Sequence, residues 1–142
     1  MSVKNVQFSV AAHIMAALGF YYGEEISSAT LADSVNADPT FVRKSLSKLS
    51  KAGLVVTKRG KSGSATLART ARKITLLDIY RASGAPPAFA IHSYRIEPRC
   101  PVSTSLKPCL SDLLSQAQNS FEKSLANITV ADLVREIRQK KR

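Results

Sequence analysis

The sequence predicts a mainly α-helical fold with one small β-hairpin, and three features support this prediction. Apolar residues recur at helical spacing in several separate stretches of the chain. Gly23 and Gly53 each follow such a stretch, where a glycine can adopt the left-handed conformation that ends a helix. The β-branched run Leu54–Thr57 is followed by a glycine-containing turn and a weaker strand at Ser64–Leu67. With 142 residues, of which 44% are hydrophobic, the chain can form one domain with an appended arm.

The first half of the chain is predicted to hold three helices before the hairpin. The apolar positions of Asn5–Tyr22 fall on one helical face. Ser28 is expected to cap a short helix that ends near Val35. Asp38 is expected to cap the next helix, which starts at Pro39, where the missing N–H costs nothing, and ends near residue 52. The order of short helix, turn, second helix and hairpin is that of a winged helix-turn-helix, with the hairpin as the wing.

The second half is predicted to contain two further helical regions separated by a linker. A helix is expected over Leu76–Ala82, and the Pro- and Ser-rich stretch Pro86–Pro108 is expected to be irregular. Helical spacing returns over Leu110–Ala126, and a last helix starts at Thr129 with Asp132 in the capping-box position. We therefore divide the chain into a winged helix-turn-helix domain at 1–84, a linker or candidate sensor loop at 85–109, and a long helix with a C-terminal helix at 110–142.

The charge balance narrows the partners that the chain can bind. Its formal net charge is +11 and its sequence pI about 10.1, a surplus that repels itself unless a polyanion is present. Nucleic acid is therefore the first partner to consider and an anionic membrane surface the second. The apolar run Ile14–Tyr22 is too short to span a bilayer and no secretory signal is evident, so no membrane insertion is expected. Two cysteines fit a reducing, cytoplasmic location better than a disulfide framework.

The basic residues concentrate in one acid-free stretch. Between Pro39 and Leu77 there are ten Lys or Arg and no Asp or Glu, whereas a solvated surface usually mixes both signs. An α-helix fits the major groove of double-stranded DNA, and a hairpin can reach the neighbouring minor groove or backbone. The second helix is therefore expected to meet base edges, the N-terminus of the helix before it to bind a phosphate, and the wing to bind beside it. The expected DNA contacts are Ser28, Thr30, Thr40, Arg43, Lys44, Ser47, Lys48, Lys51, Arg59 and Lys61.

Four segments carry a resemblance to a known family. They read LADSVNADPTFVRKSLSKLSKAGLV, KRGKSG with LARTARKITLLDIYRA, CPVSTSL and NITVADLV, and they span nearly the whole chain. They resemble the Rrf-two family of bacterial winged-helix regulators, which includes IscR-, NsrR- and CymR-like proteins. This resemblance implies a homodimer that binds a palindromic operator and usually represses transcription.

The resemblance also implies that the long helix crosses its copy in a partner and forms the dimer interface. A helix with an apolar stripe needs a surface to cover it, so the residues agree with this role. The alternative is a helix packed in the core of its own chain. The expected interface residues are Leu110, Leu113, Leu114, Ala117, Phe121 and Leu125.

The cysteines depart from the pattern of the family members that bind an iron–sulfur cluster. Those members carry three closely spaced cysteines before the long helix, whereas this chain has Cys100 and Cys109 alone. A cluster would need His92, Glu97 or a donor from the second subunit. No cofactor is therefore expected, and the segment around Cys100 looks more like the cluster-less, YwnA-like branch. An iron–sulfur-sensing regulator remains the alternative.

Two interpretations of Cys100 stay open. In the first it is a redox or electrophile sensor, whose thiolate fraction is raised by the adjacent Arg99 or by Arg95. In the second it is an inert small residue packed at the base of the long helix. Cys109 is expected to start that helix rather than to resolve an oxidised Cys100, although an oxidation-driven pair of the two is also considered.

Enzymatic functions find little support in the sequence. The chain has two histidines, no glycine-rich phosphate loop and no metal-ligand spacing. A thiol peroxidase is the one catalytic alternative, and it needs a reactive cysteine in a formed pocket. A winged-helix module that contacts RNA or protein competes better with the DNA-binding regulator, because the same basic surface would serve it.

Overall fold

The computed structural model describes residues 5–58 and 63–140, which form six α-helices, one 3-10 helix and three short strands. No described helix combines the length and the apolar character needed to cross a lipid bilayer. In chain order the elements are α1 (Gln7–Phe20), β1 (Ile26–Ser27), α2 (Ser28–Val35), α3 (Pro39–Lys51), β2 (Val55–Lys58), β3 (Ser64–Leu67), the 3-10 helix (Ala71–Lys73), α4 (Leu76–Ser83), α5 (Pro101–Ala126) and α6 (Val130–Lys140).

The chain divides into two compact units. The first unit contains the residues up to Ala85 and those from Leu125 onward, and the second unit is Pro86–Ser124. The sequence grouped α6 with the long helix, but α6 belongs to the first unit because it packs on α1. The two helices approach closely at Gly19, where an added Cβ would lie 2.9 Å from Val130 Cγ1. A small residue at that point is what lets α6 dock.

The core of the first unit is built around α1, which contacts α2, α3, α4 and α6. Ala11, Ile14 and Met15 of α1 have no exposed surface. The face of α3 that the spacing predicted to be buried, at Val42, Leu46 and Leu49, is buried. This packing fixes α3 and leaves its opposite face to solvent.

Helix starts in the first unit follow from local hydrogen bonds. The Asp38 side chain accepts a hydrogen bond of 2.7 Å from Thr40 N and Pro39 is the first residue of α3, as predicted. The predicted cap of α2 is wrong by one residue, because Ser27 Oγ accepts from Thr30 N at 3.1 Å. Ser28 is instead the first residue of α2.

The wing is part of a three-stranded antiparallel sheet with the order β1-β3-β2. The strands of the predicted hairpin are confirmed, with β2 shifted by one residue because Leu54 N donates to the Leu49 carbonyl at the end of α3. Strand β1 was not predicted, since two residues leave no periodic pattern. The tip of the wing, at residues 59–62, lies outside the described residues.

The second unit consists of an irregular segment and most of α5. The helix starts at Pro101, nine residues before the predicted Leu110, so the predicted linker at 85–109 is too long. The physical reason is a cap, because Cys100 Sγ accepts a hydrogen bond of 3.4 Å from Ser103 N and Pro101 occupies the first helical position. Pro108, which suggested a break, lies inside the helix.

Candidate nucleic-acid interface

The exposed face of α3 carries every contact residue that the sequence predicted on this helix. These side chains all lie in solvent-exposed positions of a helix whose other face is core, and Asp38 at the cap is the nearest acid in the sequence. The hydroxyl of Thr40 accepts a hydrogen bond of 3.3 Å from Arg43 Nη2, which orients the guanidinium along the helix. The exposed set is Thr40, Arg43, Lys44, Ser47, Lys48 and Lys51.

Five of the six predicted contact residues of α3 line two clefts on its flanks, and Thr40 lines neither. The wing-side cleft has a volume of about 410 Å³ and lies between α3, the start of α2 and the base of the wing. Arg43, Ser47 and Lys51 line it from α3, and Ser28 and Lys58 line it from the other side. Residues of α3, the start of α2 and the base of the wing thus meet at one cleft.

The second, helix-side cleft has a volume of about 280 Å³ and lies where α3 faces the start of α1 and the end of α4. Its lining includes Lys44 and Lys48 of α3, with Ser45 between them. The sequence treated the basic residues of α3 as one set, because their separation into two clefts depends on elements far away in the chain.

Lys48 has a structural role that was not predicted from the sequence. Its Nζ donates a hydrogen bond of 3.3 Å to the Ser83 carbonyl at the end of α4. Gly84 ends α4 in the left-handed conformation with φ 74°, and a Cβ added there would lie 3.4 Å from Lys48 Nζ. A cation at this position satisfies a terminal carbonyl and opposes the negative end of the helix dipole. Lys48 therefore ties α3 to α4 in addition to any contact with a ligand.

The predicted phosphate site at the start of α2 has its backbone donors occupied at two positions. Ser28 N donates to the Gly63 carbonyl at 3.2 Å, and Thr30 N donates to Ser27 Oγ. The Thr30 hydroxyl accepts a hydrogen bond of 2.9 Å from Ser27 Oγ and keeps its own proton for donation. The side chains of Ser28 and Thr30, rather than these two amides, are what the structure offers to a phosphate.

The base of the wing is held by an ion pair that the sequence did not indicate. Lys58 Nζ contacts Glu25 Oε1, and Ser64 Oγ lies 3.5 Å from Glu25 Oε2. The hydrogen bond from Lys58 and its positive charge lower the pKa of Glu25. Glu25 lies in the loop before β1, outside the acid-free stretch. Its contacts with Lys58 of β2 and Ser64 of β3 therefore link the three strands. Arg59 and Lys61, the predicted wing contacts, lie outside the described residues.

The two cysteines do not fit an iron–sulfur cluster within one chain. Cys100 caps α5 and is half-buried, whereas Cys109 is exposed well inside the helix and does not start it. Nine residues of helix separate their Cα atoms by about 13 Å, too far for a shared cluster or a disulfide within the chain. Among the described residues no three His, Cys, Asp or Glu side chains are grouped closely enough to hold a metal ion. Arg99 lies 3.5 Å from Glu97 and so shares its charge with a carboxylate.

The predicted interface residues of α5 lie mostly in accessible positions. Leu113 is 61% exposed, Ala117 is exposed, and Leu110, Leu114 and Phe121 are half-buried. The prediction that Leu125 lies in the dimer interface is wrong. Leu125 is only 7% exposed and is buried within the first unit of its own chain.

Comparisons with known proteins agree with this geometry. The Rrf2, or Rrf-two, family, described as iron-dependent transcriptional regulators, matches residues 5–136. YwnA of Bacillus subtilis (strain 168), provisionally named an HTH-type transcriptional regulator, is 33% identical over 131 residues, covering 92% of this chain and 96% of that protein.

Solved structures share the fold. CymR (YrzC), the global cysteine regulator of B. subtilis, superposes with a TM-score of 0.69 at 23% identity, over 96% of this chain and 98% of CymR. IscR of T. potens superposes with a TM-score of 0.72 at 21% identity, over 100% of this chain and 92% of IscR. The chain therefore belongs to the Rrf2 family and is a winged helix-turn-helix, DNA-binding transcriptional regulator rather than an enzyme.

Proposed function

We propose that the chain is a homodimeric repressor that binds a palindromic operator in double-stranded DNA through α3 and the wing. The observation that carries this proposal is the exposed, acid-free face of α3 beside the wing-side cleft. Such a face suits the major groove, while the wing extends to the flanking groove or backbone.

Within this proposal the residues of the wing-side cleft have different tasks. Arg43, oriented by Thr40, suits the paired acceptors on the edge of a guanine. Ser47 lies one turn further along and can donate to a base or a phosphate. Lys51, with Arg59 and Lys61 of the wing, provides phosphate contacts that position the protein without reading sequence.

Dimerisation through α5 is supported by how little of the helix its own chain covers. Of its 26 residues only Leu125 is buried. The helix carries Lys107, Lys123, Asp112 and Glu122, and so is neutral in a chain of net charge +11. A neutral surface can meet its own copy without like-charge repulsion, whereas a surface for DNA must be positive.

A thiol switch at Cys100 is a further part of the proposal. The thiol caps α5, so oxidation there would alter the start of the proposed dimer helix. A peroxide would convert the thiolate to a sulfenic acid with release of hydroxide. We expect peroxide to weaken operator binding by the wild type and not by Cys100→Ser, as measured by fluorescence anisotropy. Equal responses of the two proteins would remove the switch and leave the DNA-binding proposal intact.

The DNA-binding proposal is tested by selecting bound duplexes from a random pool and then measuring variants on the selected site. A palindrome with half-sites about one helical turn apart is the expected product. Arg43→Ala should weaken binding by about five- to 150-fold and relax the preference at one base pair. Arg95→Ala, which removes the same charge from the second unit, is the control. If both variants match the wild type, α3 does not read DNA as proposed.

A further inference from the structure

The helix-side cleft has a lining that suits an anion. Among the described residues it is lined by Gln7, Phe41, Lys44, Ser45, Lys48 and Ser83, and no Asp or Glu is present. Its volume of about 280 Å³ has room for a phosphate group and several waters, since one water takes about 30 Å³. Two lysines without a carboxylate therefore face a space of the right size for an oxyanion.

The two lysines of the cleft lie four residues apart on α3, so they repel each other on the same helical face. Lys48 Nζ uses one donor on the Ser83 carbonyl and has two more. Lys44 makes no hydrogen bond or ion pair within residues 5–58 and 63–140. A bound anion would relieve the repulsion and use the remaining donors.

Ser45 provides the second, independent indication of a ligand. It is only 8% exposed, and its hydroxyl has no hydrogen-bond partner in the described part of the chain. Every fully enclosed side-chain nitrogen or oxygen of the described residues has a partner, so this hydroxyl must open into the cleft. The hydroxyl can both donate and accept, and is therefore available to a ligand in the cleft.

The start of α1 adds a favourable field. Gln7 is the first residue of this 14-residue helix; its amide donates to Asn5 Oδ1 at 3.2 Å, and Val6 at the N-cap position caps none of the amides that follow. The amide N–H groups at the start of a helix carry a partial positive charge that favours anions. The side-chain amide of Gln7 lines the cleft as a further donor.

We propose that the helix-side cleft binds a phosphate group, held by Ser45 and Gln7 and neutralised by Lys44 and Lys48. The inference rests on the proposed function, because the source it favours is a backbone phosphate of the bound duplex. Lys44 then contacts a phosphate and not a base edge, which revises the role predicted from sequence. A free phosphate ion offers the same chemistry, and the two sources are separated below.

The first arm of the test uses the selected operator duplex at several salt concentrations. Ser45→Ala should weaken binding by about three- to tenfold with an unchanged salt slope, because a neutral residue releases no counterion. Lys44→Gln should weaken binding and lower the slope of log K against log salt by about one. Lys140→Gln, an equal charge change in the last turn of α6, is the control and should match the wild type. The melting temperature of Ser45→Ala should equal or exceed that of the wild type, since an unpaired hydroxyl is removed.

The second arm omits DNA and titrates inorganic phosphate against the isotope-labelled protein at constant ionic strength. The amide signals of Ser45 and Gln7 should shift and saturate in the wild type, and Ser45→Ala should abolish this response. Loss of the phosphate response with unchanged duplex affinity would keep the site and assign it to a free ion. If Ser45→Ala behaves as the wild type in both arms, the proposed site is wrong. A wild type that responds to phosphate but binds no duplex would instead refute the proposed function alone.

Discussion

The two units of the chain differ in where their stability comes from. Every buried side chain among the described residues belongs to the first unit, including Leu125, Val130 and Val134 near the C-terminal end. The second unit, Pro86–Ser124, has none, and it exposes Phe89, Ile96, Val102 and Leu113. The first unit therefore has a core of its own, whereas the second leaves these apolar side chains exposed.

Hydrogen bonds partly replace a core in the second unit. Tyr94 Oη donates to the Ser103 carbonyl at 2.9 Å, and Glu97 N donates to Ser103 Oγ at 2.8 Å. Further along, Ala88 N donates to Gln118 Oε1 at 3.0 Å. These bonds hold the irregular segment on α5, although no side chain of the second unit is fully buried. The two units thus differ in what holds them together, which is a buried core in the first and hydrogen bonds in the second.

The largest expected difference between the units is in folding stability. Ile14→Ala should lower the free energy of unfolding by about 2–5 kcal/mol, because it removes fully buried atoms and leaves a cavity. Leu113→Ala in the second unit should change it by less than about 0.5 kcal/mol at low protein concentration. Urea denaturation followed by circular dichroism measures both. Similar losses in the two variants would show that the second unit has a core of its own.

The next effect concerns association. Leu113→Glu should convert the proposed dimer to a monomer and reduce operator affinity by about 100-fold, since the two half-sites no longer act together. Gln116→Glu places the same charge on an exposed position of α5 beside the apolar stripe and should remain dimeric. Sedimentation equilibrium gives the mass of each protein. A wild type that sediments as a monomer at micromolar concentration would contradict the role assigned to α5.

The smallest effect is a pH dependence confined to the first unit. The hydrogen bond from Thr129 N, followed by that from Arg135, lowers the pKa of Asp132. Its contribution to stability is therefore complete above the ordinary carboxyl pKa of about 3.9 and is lost as the pH falls through the lower, folded value. Asp132→Asn should thus melt below the wild type at pH 7, with the gap narrowing as the pH falls through the lowered pKa of Asp132.

Asp112→Asn, on α5 in the second unit, serves as the control for this measurement. It should melt like the wild type at every pH, because no ion pair joins Asp112 to the described residues. A gap between Asp132→Asn and the wild type that stays constant as the pH falls ever further below the ordinary carboxyl pKa would mean that the carboxylate does not stabilise α6 through its charge.

The predicted helix starts at α3 and α6 are correct because the hydrogen bonds that fix them are local in sequence. Asp38 and Pro39 start α3 as predicted, and the capping box at α6 pairs Thr129 with Asp132 through bonds of 2.9 and 3.1 Å. In each case the donor and acceptor lie within three residues, so a short motif contains the whole explanation. The buried stripe of α3 follows for the same reason from helical spacing.

Prediction failed where the partner is remote or unusual. The contact between Lys48 and the Ser83 carbonyl joins residues 35 apart, and no local pattern announces it. The start of α5 was misplaced because a thiol, rather than a hydroxyl or carboxylate, accepts the capping bond at Cys100. In the candidate site the basic residues were recognisable from composition, but their division between two clefts depends on where α1, α4 and the wing lie.

The docking of α6 at Gly19 sets a condition on how the protein is made. Helix α1 cannot complete its packing until α6 has been synthesised, more than 100 residues later. Arg138 Nη2 then donates to the Phe20 carbonyl at 3.1 Å, and the guanidinium lies 4.7 Å from the Phe20 ring. A message truncated within α5 would thus release a chain whose DNA-binding half lacks one wall of its core and exposes apolar surface to aggregation.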